Sequence, residues 1–171
     1  DLGDTALAEL VARLPQLEHL DVGTTGAGPE TMAAIGSADS LRHLSLRNDR
    51  LVTDDDLAHL EYLSRLEYLS LKNTSVAGSG LAHLRHLPSL TEVVLPGSWQ
   101  EPPPVAELVQ LKNLEVVDLS RTPVTDEMLP PLAELKKLRV LDLAATGVTT
   151  VGVAHLSPLA ATLEDLDLGG T

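Results

Sequence analysis

The chain has no cysteine and no phenylalanine, and its aromatic residues amount to two Tyr and one Trp in 171 residues. Without cysteine there is no disulfide, no thiolate zinc site and no Cys nucleophile, and the absence does not by itself choose a compartment. Without Phe, a core must be built from Leu, Val and Ala, a composition suited to uniform layers repeated many times. Cations are scarce as well: 12 Lys and Arg stand against 25 Asp and Glu, a formal net charge of −13. Nucleic acid calls for clustered Lys and Arg on its phosphates, so this balance argues against such a partner, while it favours solubility. No apolar run approaches the roughly 18 residues of a membrane span, and residues 1–10 lack the basic-then-apolar order of a secretory signal. Membrane insertion is therefore not expected.

What is present in excess is leucine, and it recurs. Leu17-x-x-Leu20-x-Val22 restarts at Leu41, Leu66, Leu90, Leu114, Leu138 and Leu163, a period of 24 or 25 residues. Alternate side chains of a strand share a face, so each restart predicts a short strand whose second and third apolar positions point inward. Three residues beyond that pair stands a small hydroxyl, at Thr25, Thr74, Ser98, Thr122, Thr146 and Thr171, with Asp49 as the exception. Backbone amides lose their sheet partners at the bend after a strand, and these oxygens are expected to satisfy them.

The remainder of the unit is clearest in Thr122-Pro123-Val124-Thr125-Asp126-Glu127-Met128-Leu129, followed by Leu132 and Leu135. Apolar residues at such intervals predict a helix facing the strands, with Thr125 or Asp126 capping its first amides. Val52-Thr53-Asp54 followed by Leu57, Leu60 and Leu63 predicts the same, while Pro130 and Pro131 shorten the former helix or tighten it to 3₁₀.

On these residues the whole chain resembles the leucine-rich repeat family. Its LxxLxLxxTxVTDxxL pattern is similar to the cysteine-containing subtype in the threonine form of bacterial repeat proteins, with Thr where Cys or Asn is usual. The resemblance implies an α/β fold: a right-handed solenoid of about seven units bent into an arc, with a parallel concave sheet and short helices or 3₁₀ turns outside. It spans 1–171 as a single domain. Residues 1–7 align with the Val-Thr-Asp-x-x-Leu segment and Gly170-Thr171 follow a strand, so both ends cut the pattern; a piece of a longer protein is expected, because solenoids need capping units.

The residues flanking the inner leucines form columns on the concave face. The second and third layers gather His43, Arg47, Asn48, Tyr68, Lys72 and Asn73, an amphipathic and cationic spot in an acidic chain. Tyr and Arg are enriched at binding hot spots, so these six are candidate partner contacts, against the plainer reading that Arg47 and Lys72 offset Asp21 and Asp49. Trp99 joins them at the rim of Pro96-Gly97-Ser98-Trp99-Gln100-Glu101-Pro102-Pro103-Pro104, where it either plugs an irregular loop or anchors a partner. Asp118, Asp142 and Asp167 stack like charges, which a solvated face, a basic peptide or a cation would relieve.

Catalytic chemistry is not expected. There is no Gly-x-Ser-x-Gly, no His-Glu-x-x-His and no phosphate loop behind the turn glycines. His59, His83 and Glu107 share a column, but helical layers lie about 8–10 Å apart, too far to share one zinc ion; repetition of Ala-His-Leu at His59, His83 and His155 points to packing instead. Neither cofactor nor metal is anticipated. The resemblance implies a monomeric module that binds a protein or peptide. Regulation of a partner enzyme such as a GTPase, or a passive spacer role, are the alternatives.

Overall fold

The computed structural model describes residues 3–96 and 103–171. Each leucine-rich segment forms a three-residue strand: β1 His19–Asp21, β2 His43–Ser45, β3 Tyr68–Ser70, β4 Glu92–Val94, β5 Val116–Asp118, β6 Val140–Asp142 and β7 Asp165–Asp167. They build one parallel sheet in the order β1-β2-β3-β4-β5-β6-β7. Each strand starts 24 or 25 residues after the one before it, so equivalent residues of successive units face each other, as in His43↔Tyr68, Leu44↔Leu69 and Ser45↔Ser70. Successive strands lie side by side because the intervening segment returns across one face only. This makes the α/β solenoid that the repeat predicts.

The core is a single aliphatic column. Leu44, Leu69, Val93, Val117 and Leu141 point inward from the strands and are at most 1% exposed, and Leu57, Leu81, Leu108 and Leu132 meet them from the opposite wall. In the terminal layers Leu20 and Leu166 are only partly buried, since each has a neighbouring layer on one side alone. The opposite wall is helical but varied: an α-helix at Asp4–Ala12, 3₁₀ at Asp55–Leu60 and Ser79–His86, and a 3₁₀ turn at Asp126–Met128 running into Leu129–Leu132. The last of these carries the adjacent prolines and is as short as they predict. His59 and His155 are exposed, which corrects the packing role assigned to them: Leu57 and Leu60 beside His59, and Leu156 beside His155, enter the core while the imidazoles stay in solvent.

Two local expectations are also corrected. The described hydroxyls past the strands serve carbonyls, not amides: Thr25, Thr74, Thr122 and Thr146 donate to the carbonyls of Val22, Leu71, Leu119 and Leu143, while Ser98 lies outside the described residues. The exception, Asp49, is the residue that accepts an amide, from Ala27 of the preceding layer at 2.6 Å. Nor does the Asp of Val-Thr-Asp cap its own helix. It reaches the next unit. Asp4 accepts the amides of Gly28, Glu30 and Thr31 at 2.9, 3.0 and 2.8 Å. Asp54 accepts the amides of Gly78 and Gly80 and the hydroxyl of Ser79 at 2.9, 3.0 and 2.9 Å. Asp126 accepts the amide and hydroxyl of Thr149 at 2.7 and 2.6 Å. A Cβ on Gly152 would stand 2.2 Å from Asp126 Oδ1, so this glycine makes room for the carboxylate.

These carboxyls titrate below the ordinary Asp range. Burial pushes Asp4 and Asp54 upward, but their amide and hydroxyl donors outweigh it; for Asp126 the Thr149 hydroxyl and amide lead. A folded-state value below the unfolded one means that the stabilisation is complete above the unfolded pKa and is lost as pH falls through the folded values.

At the exit of the strands, in the six layers where this position is described, one residue takes a left-handed conformation: Thr24, Asn48, Asn73, Arg121, Ala145 and Gly170, with φ of 62°, 57°, 57°, 58°, 55° and 72°. Asn and Gly tolerate this region, whereas a β-branched Thr is strained there. Thr24→Asn is therefore expected to raise the unfolding free energy by about 1 kcal/mol, and Asn48→Thr to lower it similarly, as chemical denaturation would register.

Candidate interaction surface

The pleat that sends Leu44 and Leu69 into the core turns their neighbours onto the open sheet face. In layers one to three this gives His19, His43 and Tyr68, and the rings stack. The His19 and His43 centroids are 4.4 Å apart with planes inclined by 10°, and those of His43 and Tyr68 are 5.8 Å apart at 26°. Beside them lies an open hollow of about 360 Å³, bounded also by Asp21 and Ser45. Nδ1 of His43 is buried and, among the described residues, has no hydrogen-bond partner. The column ends on Glu92, whose carboxyl is pushed up by burial while His43 pulls the other way.

All six described candidates lie on layers two and three. Arg47 pairs with Asp21 at 3.0 Å and stays exposed on the sheet face. Lys72 forms no ion pair among the described residues and is exposed. The Asn73 side-chain amide donates to the Asn48 side-chain oxygen at 2.9 Å, which with their left-handed φ gives both asparagines a structural reason to be there. Trp99 lies outside the described residues.

Layers five to seven differ. Val116, Val140 and Asp165 replace the rings, and Asp118, Asp142 and Asp167 stand two residues on. Each of these carboxylates accepts, through Oδ1, the amide two residues further along: Ser120, Ala144 and Gly169 at 2.9, 2.8 and 2.7 Å. Asp21 does the same for Gly23 at 2.9 Å. Aspartate recurs at this position because it closes the turn that leaves the strand. A second hollow, of about 570 Å³, opens between this acidic stripe and the cations Lys72 and Arg121.

Three features escaped the sequence reading. His19 belongs with the aromatic run, a signal available in the columns because it aligns with His43. The turn-closing role of the Asp column was masked by its like charges. At the strand entry, Glu18, Arg42, Glu67, Thr91, Glu115, Arg139 and Glu164 form one column, in which Arg42 bridges Glu18 and Glu67. Arg139 likewise bridges Glu115 and Glu164, at 3.5 and 2.7 Å. This alternation of charge reads as a repeat only when the units are stacked.

Solved structures of similar fold include two internalins. An internalin from Listeria monocytogenes matches over 94% of this chain with a TM-score of 0.67 and 18% sequence identity; this chain spans 50% of its length. An internalin C2 from the same organism matches over 96% of this chain and 93% of its own, with a TM-score of 0.63 and 18% identity. No family model and no curated protein sequence matches. At such identity the likeness is one of fold, and the fold of this chain is the leucine-rich repeat solenoid.

Proposed function

We propose that the chain is a protein-binding module that engages a protein or peptide through the concave face of layers one to three. His43, Arg47, Tyr68 and Lys72 make the contact, His19 extends it and Asn48 and Asn73 form its rim. The observation that carries this reading is the continuous His19–His43–Tyr68 stack beside an open hollow. Rings already held in register lose little entropy on binding, and Tyr with flanking cations is the composition of a hot spot. A solenoid of this kind serves in general as an interaction scaffold, its sheet offering a broad surface on which no nucleophile needs activation.

The reading is tested by immobilising the chain and its Arg47→Ala/Tyr68→Ala/Lys72→Ala variant, after checking that both unfold at similar temperatures, and comparing what each retains from a lysate of the source organism. A protein held by the first and reduced at least tenfold by the second is the expected result, on the scale of hot-spot truncation. Equal retention would place the contact elsewhere, and retention by neither would leave a spacer.

A further inference from the structure

The ring column of layers one to three stops at an acid. Tyr68 has the His43 imidazole on one side, with centroids 5.8 Å apart, and Glu92, its register partner on β4, on the other. Among the described residues no ring and no cation covers that second side. We propose that Tyr68 and Glu92 together hold an arginine side chain of the partner protein, its guanidinium flat on the open ring face and forked onto the carboxylate. This rests on the reading of layers one to three as a protein-binding surface, and it names the chemistry that the partner brings to the fourth.

Glu92 carries the argument. The side chain is half-buried, and burial drives its carboxyl above the ordinary Glu value. Among the described residues neither an ion pair nor a side-chain hydrogen bond reaches it. His43 alone acts on the carboxyl, from two strands away and behind Tyr68, and does not offset the burial. The adjoining column shows what is missing, because there Arg42 serves Glu18 and Glu67, and Arg139 serves Glu115 and Glu164. Arg47 is taken by Asp21, and Lys72 stands past the far end of β3. A carboxylate that has lost water without gaining a donor is destabilising, and a cation from outside relieves it.

The neighbours select the cation. A guanidinium is planar and weakly hydrated, so it lies on a ring face and donates two parallel hydrogen bonds to a carboxylate at once. An ammonium is compact and strongly hydrated, which suits a half-buried site less well. Val116, in register with Glu92 on its other side, is half-buried and aliphatic. The backbones of Tyr68 and Val116 are two strand spacings apart, about 9.6 Å. That gap admits one planar group above Glu92, with the methylene stem of the arginine against Val116.

The probe is acetyl-Gly-Arg-Gly-amide, with its Lys and Gln counterparts as controls, titrated into the isotope-labelled full chain while the backbone amides are followed by NMR. Saturable shifts at Tyr68, Glu92 and Val116 are expected for the arginine peptide, with a dissociation constant on the order of a few millimolar. The lysine peptide is expected to bind roughly threefold more weakly or worse, and the glutamine peptide not at all. Tyr62, exposed on the opposite wall, should not move. Glu92→Gln keeps the shape of the side chain without its charge, and Tyr68→Leu removes the ring. Each is expected to weaken arginine binding by roughly fivefold or more. Asp55→Asn, exposed on the opposite wall, should bind as the parent does and controls for simple attraction to a chain of net charge −13. Equal affinity for the lysine peptide, shifts at Tyr62 as large as those at Tyr68, no saturable shift, or indifference to both Glu92→Gln and Tyr68→Leu would overturn the proposal. The lysate comparison is read separately: capture that depends on Arg47, Tyr68 and Lys72 without arginine binding removes this site alone, and arginine binding without capture removes the protein partner.

Discussion

Leu69→Ala is expected to lower the free energy of unfolding by about 3–5 kcal/mol, and Leu20→Ala and Leu166→Ala, at the same position of the terminal layers, by roughly half as much. Leu69 is fully buried, with layers packed on both sides, so removing three carbons leaves a cavity that cannot collapse. Leu20 and Leu166 are partly exposed and lose less on truncation. In a stack where each unit touches only its neighbours, cost should follow the number of flanking layers. Chemical denaturation of the three variants measures this directly. Equal costs would mean that the layers do not behave as a one-dimensional stack.

The second large effect concerns the carboxylates that tie one unit to the next. Asp54→Ala removes the acceptor of two amides and a hydroxyl at the start of the following unit, and is expected to cost about 2–3 kcal/mol. Its exposed neighbour Asp55, changed to Ala, should cost less than about 0.5 kcal/mol. The cost of Asp54→Ala should also depend on pH. Asp54 has a folded-state value below its ordinary 3.8, because its donors outweigh the effect of burial. Its contribution is present above that ordinary value and fades as pH falls through the folded one. The gap in stability between the parent and Asp54→Ala should therefore be full at pH 6 and narrow below about pH 4. A gap that widened in acid would contradict the assignment of the carboxylate as acceptor.

The fold was legible in the sequence because the signal is repeated. One Leu-x-x-Leu-x-Leu segment is ambiguous between strand and helix, but its recurrence at 24 or 25 residues fixes strand direction, order and register together, and His19↔His43↔Tyr68↔Glu92 follows by counting. What counting does not give is which oxygen meets which amide. Thr125 and Asp126 sit where caps sit, yet Asp126 bonds to Thr149, 23 residues away, because the neighbouring unit is nearer to its carboxylate than the amides of its own short 3₁₀ turn. Asp49 looked like a fault in a row of hydroxyls and instead accepts an amide across layers. The six described candidates do share one face, as expected, but Asn48 and Asn73 are also explained by the left-handed turn they occupy, which no periodicity announces. The charge column from Glu18 to Glu164 went unread for a related reason: it forms two Glu-Arg-Glu groups separated by Thr91, and only stacking brings their members together.

The two tyrosines offer the most direct measurement, because they lie on opposite walls: Tyr68 stacks with His43 on the sheet face, and Tyr62 is 78% exposed in the segment after the 3₁₀ turn Asp55–Leu60. A photo-crosslinking phenylalanine analogue placed at each in turn, irradiated in a lysate of the source organism, reports which wall a partner touches. Concave-face binding requires a covalent adduct from position 68 and none above background from position 62. An adduct from position 62 alone would contradict it.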